Sequence, residues 1–596
     1  MRTMTGLKYG AAKIPSGKIV VLGMEAENTL YCAGMTLFRI YQGHVSILGF
    51  QPTQGVYYTL YSPKWDSILT IKGHVSVNVK RACALQASFG AYNQKLAQLM
   101  CAEALDVADD AEADILAKRI AVDYPIVLIF HTISVNFGNL MCYYDNALTK
   151  KIESSDTPSI LPGFKLLDSG TFDESAVSEK SMECPSDQIL RSLFVRDSFR
   201  VVQITMQWDQ TVKLITESVR SDSCKKKIVV CGAKGVGKST FCRYLINQLL
   251  SEHPVVAFLD TDLGQPELTP PGLVSLHGLT TPLLGPGFTT MRMPLRSYFC
   301  GNNNPSNDPL YYLKAVKNLL QVYMKNWGSQ QSIPLVINTD GWIKSMGHDL
   351  LCNIIEEVNP HHIVQLLAMT KNKLFDLPTE GKWRIHRLHP WEAMSPNLQT
   401  PRSSKEMRLY RYHSYFLSSM ECSSVSRQGL QDLYLTSNKN RLNNELHEAY
   451  EQLVPYVVSL DDLLVSCTGS TVPEAQVLDS LNASLIGLCI QHSSRNDSHV
   501  PISNRFHAPC VGIGLVRAVD PVNRLLYIVN PLPLDTISRV NLIIRGNLAL
   551  ETFKEQQTNG KQSPFRVTGF LCDEGSGSTI MKSRHNIKRK REERGI

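Results

Sequence analysis

Eight consecutive residues, Gly232-Ala-Lys-Gly-Val-Gly-Lys-Ser239, restrict the fold of this chain more than any others, because they fill every fixed position of GxxxxGK[ST]. That pattern functions only between a strand and a helix, and both flanks meet the condition. "KKKIVV" precedes it as a short apolar strand. "TFCRYLINQLLSEH" follows, with Phe241, Tyr244, Leu245 and Leu249 on one helical face. In such a turn the backbone N–H groups of Gly232, Ala233, Lys234, Gly235, Val236, Gly237, Lys238, Ser239 and Thr240 close around phosphate oxygens, and the helix N-terminus adds its positive dipole. Lys238 is expected at the β- and γ-phosphates and Ser239 on Mg²⁺, so the expected ligands are a nucleoside triphosphate, ATP, with Mg²⁺.

Strands and helices alternate around this turn. "PVVAFLD", "SIPLVINTD" and "HHIVQLLA" read as buried strands, separated by the helical pattern "HDLLCNIIEEV". The alternation predicts an α/β, doubly wound parallel sheet over residues 190–435. Residues 1–189 predict a β-rich N-terminal domain, an antiparallel sandwich or barrel, with a polar linker or mobile loop at about 150–187. Residues 436–581 predict a second β-rich domain, and 582–596 a basic tail.

The expected chemistry depends on where the carboxylates fall. The strand "VVAFLD" ends in Asp260 and is followed by Asp262 and Gln265. The strand after a P-loop helix usually lies beside the P-loop strand, which turns its C-terminal end towards the phosphates. One carboxylate there, Asp262, can take the proton of an attacking hydroxyl while Asp260 holds Mg²⁺ through water. Asp340, at the end of "IPLVINTD", is a rival on the metal side. "TKNK" (residues 370–373) lacks the Asp that would read guanine, which argues against a guanine-nucleotide switch. An early Asp-x-Asp fits small P-loop kinases that transfer to an external hydroxyl.

Composition excludes several classes. Fifteen cysteines occur without any CxxC pair, which predicts a reducing compartment, nucleus or cytosol, and no structural zinc. The apolar run "YPIVLIF" is far below the ~20 residues that span a bilayer. Of a net charge of +7, residues 582–596 carry +5 (seven Lys/Arg against two Glu), leaving +2 elsewhere. Nucleic acid would therefore be gripped in a local groove, and the tail reads as a nuclear-localisation or RNA-contacting segment.

"LDTDLGQPELTPPG" (residues 259–272), "INTDGWIKSMG" (337–347) and "MRLYRYHSYF" (407–416) follow the P-loop in order, and "HVSILGF", "YTLYSP" and "GIGLVRAVD…LLYIVNPLP" flank it. In these motifs the chain resembles the polynucleotide 5′-hydroxyl-kinase family, nearest its nucleolar branch. The resemblance implies transfer of the γ-phosphate of ATP to 5′-hydroxyl ends of RNA, with DNA ends as a further acceptor. It implies catalysis by Lys238, Asp262, Gln265, Arg408 and Arg411. It also implies nucleic-acid contacts from a Thr269–Gly272 clasp, from Trp342 stacked on a terminal base and from Lys344 on the backbone. The arginine spacing, with Arg402 and Lys405 nearby, leaves open which lid cation meets ATP. Pre-ribosomal RNA, a partner endoribonuclease, no membrane, and a nucleolar location complete the expectation. A non-catalytic ATP-binding scaffold and a water-directed ATPase are the competing readings.

Overall fold

The computed structural model describes residues 9–63, 68–75, 107–131, 161, 164–168, 189–190, 193–196, 201–202, 204–221, 226–327, 333–378, 380–389, 403–418, 450, 452–468, 477, 480–491, 508–548 and 550. The basic tail, Arg402 and most of the 150–187 stretch lie outside them. Contacts divide the chain into two compact units, Met1–Leu446 and His447–Ile596. Among the described residues no helix is long and apolar enough to cross a membrane.

The first unit begins with β1 (Tyr9–Lys13), β2 (Ile19–Met24), β3 (Thr29–Gln42), β4 (His44–Ile47), β5 (Tyr57–Ser62), β6 (Leu69–His74), α1 (Val107–Ile120), β7 (Ile126–His131), β8 (Phe164–Asp168) and β9 (Phe194–Arg196). They form one sheet in the order β1-β2-β7-β3-β6-β4, with β5 and β8 also on β3 and β9 on β8. β3 is 14 residues long, enough to serve several partners along its length. β2 and β7 are buried at every position, so both faces of the sheet are covered there. Ile19, Val21, Val127 and Ile129 face Ala113 and Ala117 of α1. Val20, Leu22, Leu128 and Phe130 join the core shared with the P-loop region.

One expectation is corrected here. Inside the stretch read as a linker, β8 pairs antiparallel with β3. Phe164 and Leu166 are buried in the core, an alternation too short to stand out among polar neighbours.

The rest of this unit comprises α2 (Met206–Ser221), β10 (Lys227–Gly232), α3 (Lys238–Leu250), β11 (Val256–Asp260), β12 (Leu273–Leu279), β13 (Arg296–Phe299), α4 (Pro309–Trp327), β14 (Leu335–Asn338), α5 (Met346–Val358), β15 (His362–Leu366), β16 (Arg384–Leu388) and α6 (Ser404–Phe416). The sheet order is β16-β15-β10-β14-β11-β12-β13. The first five strands are parallel, β12 runs antiparallel to them, and β13, antiparallel to β12, returns to their direction. The chain moves one way from β10 through α3 to β11 and the other way from β14 through α5 to β15. Right-handed crossovers then put α3 and α5 on opposite faces, a doubly wound arrangement.

A second expectation is corrected by this order. β11 is not beside the P-loop strand, because β14 lies between them, pairing with β10 on one side and β11 on the other. Of the two strands that end in a candidate carboxylate, the one beside the P-loop strand is therefore β14, which leads into Asp340.

α3 is buried nearly all round. Besides Phe241, Tyr244, Leu245 and Leu249, it encloses Cys242, Ile246, Asn247 and Leu250. Asn247 Nδ2 donates to the carbonyls of Leu48 and Leu283, and its Oδ1 accepts from Leu283 N. A buried amide satisfied on both sides fixes the P-loop helix to the N-terminal sheet.

The second unit contains β17 (Tyr456–Ser459), β18 (Leu464–Cys467), β19 (Leu485–Cys489), β20 (Cys510–Asp520), β21 (Leu525–Val529) and β22 (Leu542–Arg545). Pairing runs β17-β21-β20-β19-β22-β18, antiparallel except between β18 and β22. Leu488, Leu526 and Ile543 are among its core residues.

Candidate active site

β10 ends as a fully buried apolar strand, so the chain leaves the sheet abruptly at Gly232. Gly235 and Gly237 have φ of 81° and 97°, a region that side chains disfavour and the phosphate-binding turn requires. Gly237 caps α3, whose first-turn N–H groups point back into the loop. Lys238 is 7% exposed and its Nζ donates to the carbonyls of Gly232 (3.0 Å) and Ala233 (3.1 Å). The ammonium therefore sits over the loop. Ala233 and Val236 are buried, Ser239 and Thr240 are half-buried, and Lys234 and Gly235 are exposed. Buried Trp208 of α2 supports Gly237 from below.

β14 delivers the next group. Thr339 Oγ1 donates to Val230 O at 2.9 Å, tying the strand end to β10. Gly341 then passes so close to the P-loop that a Cβ there would lie 2.9 Å from both Cα and N of Lys234. Between them stands Asp340, whose Oδ1 accepts Trp342 N at 2.7 Å. Burial first, and then the charge of Asp262, push the Asp340 carboxyl up to about 6, with Lys238 and Lys234 pulling against them. Trp342 is half-buried, its indole lying against Gly347 at the start of α5, and Lys344 is exposed beside it.

The loop after β11 closes on itself. Buried Asp260 accepts from Asp262 N (3.2 Å) and Asn338 Nδ2 (3.1 Å) on Oδ1, and from Glu267 N (2.6 Å) on Oδ2. Burial pushes its carboxyl up to about 7, and those donors hold it from rising further. Asp262 Oδ1 accepts Gly264 N and Gln265 N, both at 2.9 Å. Its Oδ2 has no hydrogen-bond partner among the described residues, and its side chain is half-buried. Gln265 is half-buried too. Thr269 is 2% exposed with Oγ1 unbonded, and Gly272 is buried with φ 93°.

α6 opens with a capping box between Ser403 and Glu406 and carries both candidate lid arginines. Their environments differ. Arg411 is 4% exposed; its Nε donates to Pro266 O at 2.7 Å and its Nη1 to Met407 O at 3.0 Å. Burial lowers its pKa, while Glu267 and Asp262 act to raise it. Arg408 is half-buried, with no hydrogen bond or ion pair to a described residue.

Lys238, Asp340 and Asp262 thus share one electrostatic neighbourhood, with Arg411 behind Asp262. Among the described residues no three His, Cys, Asp or Glu side chains converge as a metal cage. Ser239 at the start of α3 and Asp340 beside the P-loop are the oxygen donors at the phosphate end. Such a set suits Mg²⁺, which keeps most of its waters and substrate oxygens. Sequence reasoning missed Glu267 and Arg243, a buried ion pair with Arg243 Nη2 at 3.1 Å from Glu267 Oε2. An acid inside the apolar, proline-rich run "QPELTPPG" is the signal that could have found it.

Two family models match the chain: "mRNA cleavage and polyadenylation factor CLP1 P-loop" over residues 232–418, and "NOL9-like, C-terminal domain" over 451–550. Polynucleotide 5′-hydroxyl-kinase nol9 of Dictyostelium discoideum is 26% identical, covering 96% of this chain and 86% of that protein. Polynucleotide 5′-hydroxyl-kinase NOL9 of Arabidopsis thaliana is 31% identical, covering 54% of this chain and 86% of that protein. A solved Clp1p–Pcf11p complex is similar at 12% identity and a TM-score of 0.47, covering 89% of this chain and 97% of that one.

Proposed function

The chain belongs to the polynucleotide 5′-hydroxyl-kinase family, and from that premise we propose that it moves the γ-phosphate of ATP onto the 5′-hydroxyl ends of pre-ribosomal RNA, with DNA ends as a further acceptor. One observation carries this reading. Asp262 spends Oδ1 on its own turn and keeps Oδ2 free of partners among the described residues, on the loop that follows a strand of the P-loop sheet. A fixed carboxylate with one open oxygen is suited to receive the proton of an attacking hydroxyl.

The remaining roles follow from chemistry. Lys238 neutralises charge at the β- and γ-phosphates, and Gln265 orients the hydroxyl. Arg408, uncommitted to other described residues, closes on the transferring phosphoryl group, and Arg411 fixes the loop beneath it. Ser239 would hold Mg²⁺, which when bound supplies charge neutralisation between the phosphates, while Asp260, with both oxygens bonded inside the protein, shapes the loop. Trp342 stacks on the terminal base and Lys344 touches the backbone. Thr269 and Gly272, both buried, shape the clasp. We further propose that the kinase works in the nucleolus beside an endoribonuclease that leaves 5′-hydroxyl ends, with the tail of residues 582–596 directing it there. The working domains in this reading are residues 1–189, 190–435 and 436–581.

The test is transfer of labelled γ-phosphate from ATP to a 5′-hydroxyl oligonucleotide. Label on the oligonucleotide, lost in Lys238→Ala, is the expected result. Phosphate release indifferent to the oligonucleotide would mean an ATPase, and neither product a scaffold.

A further inference from the structure

Glu267 has no part in the mechanism above, yet it is 1% exposed and lies where three elements meet. Within the loop 260–267 Asp260 closes the base and Asp262 the tip, both through backbone N–H groups, and the base is tied to β14 through Asn338. None of those bonds ties the far end of the loop to the helix that follows the P-loop. The Glu267 carboxylate supplies that tie. It takes Nε and Nη2 of Arg243, which lies one helical turn beyond Ser239 on α3. From outside, Gly287 presses on the Glu267 backbone so closely that any Cβ there would strike it.

We propose that Glu267 is a positioning residue for phosphoryl transfer. Through Arg243 it locks the Asp262 loop to the helix that begins at Lys238. With the Glu267 charge removed, the end of the loop is no longer pinned to α3, and the Asp262 oxygen meant for the hydroxyl proton loses its fixed place. A one-ångström error at a reacting carboxylate costs about 100-fold in rate. The inference rests on Asp262 as the base.

The test uses the full-length chain with Glu267→Gln, Arg243→Gln, the double variant and Asp262→Asn, measuring kcat and KM for ATP and oligonucleotide. The backbone N–H of residue 267 survives in Glu267→Gln, so the loop keeps its internal bonds. The expected result is a kcat about 100-fold lower in each single variant and no lower in the double, with KM for ATP within about threefold. Arg243→Lys, which retains charge but loses the second donor, recovers part of the kcat and replaces Glu267→Gln should that variant fail to fold. A Glu267→Gln kcat within about twofold of wild type would overturn the proposal. So would losses that multiply in the double variant, or ATP affinity falling in step with kcat, which marks mere support of the fold. Full activity in Asp262→Asn would instead refute the base assignment, whatever Glu267 does.

Discussion

Gly341→Ala isolates the contact between β14 and the P-loop. The added methyl would lie 2.9 Å from Lys234 Cα and N and 3.1 Å from its Cβ. Carbon atoms rest at about 3.5–4.0 Å, so the loop backbone must retreat by about 0.6 Å or more. Two of the three atoms struck are backbone, and no rotamer change relieves them. Overpacking of this kind costs about 1–3 kcal/mol. If the strain falls on the phosphate-binding geometry, ATP binds about 5- to 150-fold more weakly. Gly235→Ala is the informative contrast, because nothing lies within 4 Å of its Cβ and only its φ of 81° resists substitution. Strain alone there costs about 1–2 kcal/mol. Titration with a fluorescent ATP analogue, a thermal melt and the transfer assay on each variant separate the effects. Gly341→Ala binding ATP within twofold of wild type would show that the close approach does not hold the loop.

The two lid arginines should part company: Arg408→Ala lowers kcat without moving the melt, whereas Arg411→Ala destabilises the fold by about 1.5–3 kcal/mol through its lost buried hydrogen bonds; equal melts would refute the distinction. Asp340 ionises at about 6 in the fold against an ordinary 3.8, so the stability it contributes is present below about 3.8 and lost as pH rises through about 6. Denaturant midpoints from pH 3 to 8 should show a shallower decline in Asp340→Asn than in wild type, and superimposable profiles would contradict the burial argument. Deleting residues 582–596 should impair nuclear accumulation of a fluorescent fusion while transfer to short oligonucleotides persists; unchanged localisation would make the tail an ordinary charged terminus.

The P-loop, its flanking strand and helix and the β-rich ends were legible because each rests on local pattern, a fixed motif or a short period. Strand order was not. "PLVIN" and "VAFLD" look alike as buried strands, and only pairing decides that β14 takes the place beside β10. Asp340 thereby gains a closer place at the phosphate end than its sequence distance from Lys238 suggests. The division between Arg408 and Arg411 was equally hidden, since both lie on one short helix and differ only in what encloses them. Glu267 shows the same limit: its identity is plain in the sequence, but its partner Arg243 is 24 residues away and joins it only in the fold.

The enclosure of α3 bears on how this catalyst can be cut and recombined. Tyr244 and Asn247 look away from the kinase sheet and meet Gly49 and Leu48 of the N-terminal region. A chain begun at residue 190 would leave that surface, and an amide short of one of its three hydrogen bonds, facing water. The nucleotide-binding segment is thus not a transplantable cassette. An expression fragment that retains the first nine strands should stay soluble where the bare P-loop segment aggregates, and any swap between relatives has its natural joint at the boundary between residues 446 and 447.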